Sequence, residues 1–230
     1  MDNLIRLQYL EAMGIDVWMP RVSSHVGQSL SFDVEPDADN VEHESSESVQ
    51  TSWDILQAEV ASCTKCALCE TRTQTVFGTG NKIANWMIIG EAPGQHEDEQ
   101  GKPFVGKAGL LLTEMLRAVG LDRDEVFITN ILKCRPPGNR DPKPDEAESC
   151  SEYLRQQRAL LKPKIILAVG RIAAQTLLNT DAPLSKLRGK VHELDGTPLV
   201  VVYHLAYLLR SLSEKRKAWQ DLLLAVRTIR

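Results

Sequence analysis

The chain has 230 residues, 43% of them hydrophobic and 25% charged, with a formal net charge of −4. That balance is ordinary for a globular protein and excludes a collagen, a mucin or a wholly disordered chain. No apolar run approaches the roughly 20 residues of a membrane helix, and no basic region followed by an apolar core opens the sequence, so a cytoplasmic protein of one or two domains with no membrane partner is expected.

The charge is unevenly spread. Residues 1–50 hold ten acids and two bases, which leaves the rest of the chain at net +4. Within 1–21, Leu4, Leu7, Tyr9, Leu10 and Met13 lie near one helical stripe, and Ile15, Val17, Trp18 and Met19 form an apolar knot. This segment reads either as a docking peptide or as a helix packed on its own domain. Residues 22–50 are rich in Ser, Asp and Glu without an apolar period, and read as an acidic disordered linker.

Residues 51–230 alternate helices and strands. In chain order the patterns predict a helix over Trp53–Ala61, a buried strand over Ala84–Gly90, a helix over Gly106–Val119 and a strand over Val126–Asn130. A helix over Pro144–Leu161, a strand over Lys164–Val169 and a helix over Arg171–Leu178 follow. Strands over Val191–Leu194 and Leu199–Tyr203 precede a closing helix over Glu214–Thr228. Alternation of this kind argues an α/β fold, a mostly parallel sheet with helices on both faces and its chemistry at the carboxyl ends of strands.

In a cytosolic protein the five cysteines are not expected to form disulfides, because the cytosol keeps thiols reduced, and metal binding or catalysis is the first expectation for them. Cys63, Cys66 and Cys69 form a tight cluster, with Cys134 and Cys150 far downstream. Four thiolates can hold zinc or an iron–sulfur cluster, and the long, uneven spacing favours the cluster. Cys69, next to apolar Leu68, is the expected spare.

Three strand-end loops carry candidate chemistry. The first, Gly90 to Gly109, holds Glu91, Ala92, Glu97 and Asp98, with Phe104 fixed after Pro103. Gly101-x4-Gly106-Lys107 imitates a phosphate loop, but Ala108 stands where Ser or Thr must bind magnesium and no strand directly precedes it. Glycines that permit close approach, beside a rigidly presented ring, suit a flat ligand instead. The second loop begins at Asn130, whose amide offers a donor and an acceptor side by side, the complement of an edge such as that of uracil. The third begins at His204, facing the other two.

These residues resemble a uracil-DNA glycosylase of the family 4 type, from about Ala58 to the C-terminus. CTKCALCETRTQTVFGTG, GEAPGQHEDEQGKPFVGKAG, TNILKCRPPGNRDP and YHLAYLLR match its motifs in order. The resemblance implies a three-layer glycosylase fold with a central sheet of about four strands, acting as a monomer on uracil-containing DNA. It implies a 4Fe-4S cluster on Cys63, Cys66, Cys134 and Cys150. Phe104 would stack on the flipped base, Asn130 would read its Watson–Crick edge and His204 would lie beside O2. Glu91 would position water or the loop, and Glu97 would fill the space near C5. Ala92 stands where family 1 glycosylases carry Asp. Lys133, Arg135, Arg140 and Arg210 would reach phosphates. Leu205 departs from the family, which carries Pro after the His. The alternatives are a catalytically weak DNA- or uracil-binding module and an iron–sulfur sensor on the same fold.

The leader LQYLEAMGIDVWMPR is similar to the N-terminal peptide of the psi subunit of the bacterial DNA polymerase III clamp loader. That similarity implies docking to the clamp-loader tau/gamma subunit.

Overall fold

The computed structural model describes residues 46–229; the expected docking peptide and most of the expected linker lie outside them. The first helix, α1, spans Ser46–Ala61, so residues 46–50, expected to end the linker, are its opening turn.

One six-stranded sheet forms the centre of the domain, in the order β1-β3-β2-β4-β6-β5. Its strands are β1 (Thr79–Gly80), β2 (Trp86–Gly90), β3 (Val126–Asn130), β4 (Ile165–Val169), β5 (Val191–Leu194) and β6 (Thr197–Val202). The four inner strands run parallel, and β1 and β5 pair antiparallel on the edges. The five strand ranges read from the sequence correspond to β2 through β6; β1 was not among them, and the sheet of about four strands that was expected has six. Every residue of β2, β3 and β4 is buried, as strands covered on both faces require.

The side-chain alternation of these strands builds two cores. Met87, Ile89, Phe127, Ile166 and Val201 face one side and pack with Trp53 and Leu56 of α1. The same layer takes in Tyr153 and Leu154 of α4 (Pro144–Leu161) and Ala173 of α5 (Arg171–Leu178). Trp86, Ile88, Ile128, Leu167 and Val200 face the other side. They meet Leu112 and Leu116 of α3 (Lys107–Ala118), Leu205 of α7 (Leu205–Arg210) and Leu222 of α8 (Lys215–Ile229). Adjacent strand residues therefore serve opposite layers, the period of two that a pleated strand imposes.

Two short helices complete the set: α2 (Gln95–Gln100) within the first long loop and α6 (Leu184–Leu187). The polar run QHEDEQ carries no apolar face and reads as loop. It is helical because Gly94 opens it and Gly101, at φ 70°, closes it with an N–H donated to Glu97 O. The chain reverses its sheet direction after β3: β3 lies on one side of β2, and β4 on the other. Open α/β sheets bind ligands at such a switch point, beyond the carboxyl ends of the strands.

Candidate active site

A cavity of about 530 Å³ opens at the carboxyl ends of β2, β3 and β6. Glu91, Ala92, Glu97, Phe104, Asn130 and His204 all line it. Residues more than 100 positions apart in sequence meet here because these parallel strands, with β4 between β2 and β6, all end on the same edge of the sheet.

Gly90 makes the closest approach possible. A Cβ on it would stand 2.3 Å from Asn130 Oδ1 and 2.7 Å from Phe104 Cζ. The absent side chain thus lets a ring and an amide converge on one strand end. Phe104 is held in the left-handed region at φ 53°. Arg123 fixes it there, donating to Pro103 O at 2.6 Å and Phe104 O at 2.9 Å. Gly109 must lack a Cβ for the same reason: the atom would lie 1.7 Å from Phe104 O. Strain of this type in a residue without glycine's freedom persists only where its surroundings over-determine it.

Two neighbouring acids of α2 tie the loop on both sides. Glu97 Oε1 accepts from Val105 N at 3.0 Å and Gly106 N at 3.4 Å. Buried Asp98 accepts from Thr73 N at 3.0 Å through each carboxylate oxygen. Asn130 is itself buried, yet among the described residues its side-chain amide has no hydrogen bond and it faces the cavity.

His204 caps α7. Ala206 N–H donates to its Nδ1 at 3.3 Å, so Nδ1 is the lone-pair nitrogen and Nε2 carries the hydrogen. Burial, and then the Arg210 charge, hold its pKa below the ordinary value, which keeps the ring neutral. Gly170, at φ 95°, abuts it: a Cβ there would be 3.0 Å from His204 Cβ. Leu205 occupies the first helical position after the cap and is fully buried with Leu208. Pro at that position would supply a preset φ; here core packing anchors the same turn.

Glu91 is pushed up to about 7, first by burial and then by Asp141, with Arg171 opposing. Arg171, the first residue of α5, pairs with Asp141 at 2.7 Å. Arg140 grips Glu146 with both terminal nitrogens, at 2.8 and 2.5 Å. These two pairs fix the loop that follows β3, which forms one wall of the cavity.

On the α1 side, Cys63, Cys66, Cys69, Cys134 and Cys150 line a second, smaller cavity together with Lys133. Burial pushes the Cys134 thiol up to about 11 and raises Cys66 and Cys150 as well. Arg72 Nη1 donates to Cys134 Sγ at 3.0 Å. Among the described residues no three ligating side chains stand close enough to hold a single metal ion. The thiols surround a space rather than a point. All five reach it, so position alone does not set Cys69 apart.

The uracil DNA glycosylase superfamily model matches residues 77–223. A type-4 uracil-DNA glycosylase of Archaeoglobus fulgidus is 46% identical over 166 residues, covering 69% of this chain and 83% of that protein. One from Thermotoga maritima is 40% identical over 164 residues, 70% of this chain and 85% of that protein. A type-5 uracil-DNA glycosylase of Thermus thermophilus is 32% identical over 118 residues, 45% and 53% of the two chains. The chain belongs to the type-4 uracil-DNA glycosylase family. Members of that family are hydrolases acting on N-glycosyl bonds.

In this type-4 glycosylase the structure brings together all six expected pocket residues. Arg140 and Arg210 also line the pocket, whereas Arg135 lies outside its lining and donates from Nε to Asn139 Oδ1 at 2.7 Å. Lys133 corrects an expectation. It does not reach toward phosphate; it is 1% exposed, and its Nζ is bonded internally to Thr129, Asn130 and Gln157. A lysine in a basic loop reads as a surface group, but three buried acceptors turn this one inward. Asp141, Arg171 and Arg123 were not among the expected residues. The available signal was position: Arg171 lies two residues past the end of β4, at a strand end like the other three.

Proposed function

We propose that the chain hydrolyses the N-glycosidic bond of a flipped-out deoxyuridine in DNA, releasing uracil and leaving an abasic sugar for base excision repair. One observation carries this reading: a single pocket presents a ring (Phe104), an unpartnered amide (Asn130) and a neutral Nε2–H (His204). Those are the groups needed to stack, read and discharge one pyrimidine.

The target nucleotide leaves the duplex at a cost of a few kcal/mol, less at a U·G mispair. Phe104 stacks on the base, and Asn130 donates to O4 while accepting from N3–H. Glu97 walls the pocket near C5 and holds the Phe104 loop in place. As the C1′–N1 bond breaks, its electron pair passes to the uracil ring and the sugar becomes oxocarbenium-like. Charge grows on O2, where the His204 Nε2–H donates; a neutral donor stabilises the anion without surrendering its proton. Water then bonds to C1′ and loses a proton, which the Glu91 carboxylate is placed to accept. Arg135, Arg140 and Arg210 are the remaining candidates for phosphate contacts. The burial of Leu205 at the start of α7 supports an ordered His204 loop without Pro, which favours an active enzyme over a weak binding module.

The same reading gives Cys63, Cys66, Cys134 and Cys150 a 4Fe-4S cluster. Donors spread around a cavity, with the cations of Arg72 and Lys133 beside them, suit a bulky anionic group better than one zinc ion. Bound there, the cluster would cross-link the end of α1, the loop after β3 and α4. The tether is the remaining part: residues 1–21 would dock on the clamp-loader tau/gamma subunit and raise the local concentration of enzyme at copied DNA. Removing residues 1–45 should then abolish co-purification with that subunit while excision from naked DNA persists. Loss of excision on removal would contradict the tether.

The enzymatic reading is tested on an oligonucleotide with one U opposite G. Treatment with the protein and then alkali should cut the strand at the U and leave a T-containing control intact. An uncut U strand would reject the proposal.

A further inference from the structure

Lys133 is a buried lysine whose Nζ has three hydrogen-bond partners and no carboxylate among them. Its Nζ lies 2.7 Å from Thr129 Oγ1, 2.8 Å from Asn130 O and 2.8 Å from Gln157 Oε1. Gln157 is oriented by its own Nε2, which donates to Phe77 O at 2.9 Å and leaves Oε1 facing the lysine. Thr129 Oγ1 has its proton for Phe77 O, 2.9 Å away, or for Gln157 Oε1 at 3.2 Å, so toward Lys133 it accepts. With Thr129 accepting, three acceptors surround one nitrogen, an arrangement that an ammonium with its three hydrogens satisfies in full.

A buried ammonium without an opposite charge is strongly unfavourable. Lys133 also lines the cysteine cavity, where its backbone N–H and its charge both act on Cys150. A cluster held by four thiolates is a net anion. At its other contact, Lys133 holds the main-chain carbonyl of Asn130, the residue whose amide faces the base pocket. One residue therefore connects the cysteine cavity to the strand end that carries Asn130.

We propose that Lys133 is the internal counter-ion of the group that the cysteines hold and, through Asn130 O, a positioning residue for the base-reading amide. This rests on the cluster reading above and adds to it a defined link between cluster and pocket. It also gives a physical reason for a basic residue next to Cys134 that does not touch DNA.

The test uses the full-length, iron-loaded protein. Lys133→Met keeps the stem and removes the charge. Gln157→Glu keeps Lys133 and places a carboxylate against it. Each lowers the positive charge beside the cluster, so in both the cluster's midpoint potential, followed by bleaching of its visible absorbance, should move to more negative values. Lys133→Met should also weaken inhibition by free uracil by about ten- to hundredfold, the effect of losing one charge-assisted hydrogen bond at the strand end. If Lys133→Met does not fold, Gln157→Glu decides alone. An unchanged potential in Gln157→Glu overturns the counter-ion role. Unchanged uracil inhibition in a folded Lys133→Met overturns the link to Asn130. Wild-type protein that takes up no iron would instead overturn the cluster reading itself, and it would do so before any variant is made.

Discussion

Asn130 Oδ1 fills the space that a Cβ on Gly90 would occupy, since the two atoms would stand 2.3 Å apart. The two residues are register partners at the ends of β2 and β3, so the strand pairing itself aims the amide. Asn130→Ala should therefore abolish uracil excision while DNA binding through phosphates persists. Gly90→Ala should do the same by displacing the amide and the Phe104 ring. Single-turnover excision together with DNA affinity separates the outcomes; equal loss of binding to any DNA would mean that this contact is only structural.

His204 is the anion donor in this account. His204→Ala should lower the single-turnover rate far more than DNA affinity. The loss should be on the order of a hundred- to thousandfold, the ~2.7–4 kcal/mol of an oxyanion donor. Leu205→Pro places the residue most suited to a first helical position in a turn that already has helical geometry, and should keep or raise the rate.

Glu91 sets a pH dependence. Its carboxyl is pushed up to about 7, and the proposed role needs the carboxylate, so excision should rise with pH through about 7 and then level. Asp141→Asn removes a negative charge that raises this pKa and should move the rise to lower pH. Arg171→Gln removes the opposing positive charge and should move it higher. Glu91→Gln should eliminate the rise. A flat wild-type profile would remove Glu91 from proton transfer.

The cysteines predict a brown protein with about four irons. Ser at position 63, 66, 134 or 150 should bleach it. Cys69→Ser should not, although Cys69 borders the same cavity. Iron analysis and visible absorbance check both statements, and one equivalent of zinc in anaerobically prepared protein would contradict the cluster.

Much of this was legible in the sequence where burial and local pattern agree. The strand Val126–Asn130 and the helix Pro144–Leu161 have the expected bounds, because a continuous apolar run and a Pro at a first helical turn leave little choice. Glu91, Asn130 and His204 were legible as strand-end residues. What sequence could not display is pairing across distance. Asp141 and Arg171 are 30 positions apart and become partners only when β4 lies beside β2. Lys133 turns inward because Gln157, 24 positions on, offers its carbonyl oxygen. The six-residue α2 has no apolar face, so only its glycine ends announce it.

The most direct measurement is single-turnover release of free uracil from a U-containing oligonucleotide by iron-loaded protein. The account predicts one uracil released for each abasic strand formed, at a rate that falls steeply in His204→Ala. Absence of free uracil with the cluster fully loaded, or release at the wild-type rate from His204→Ala, would contradict it.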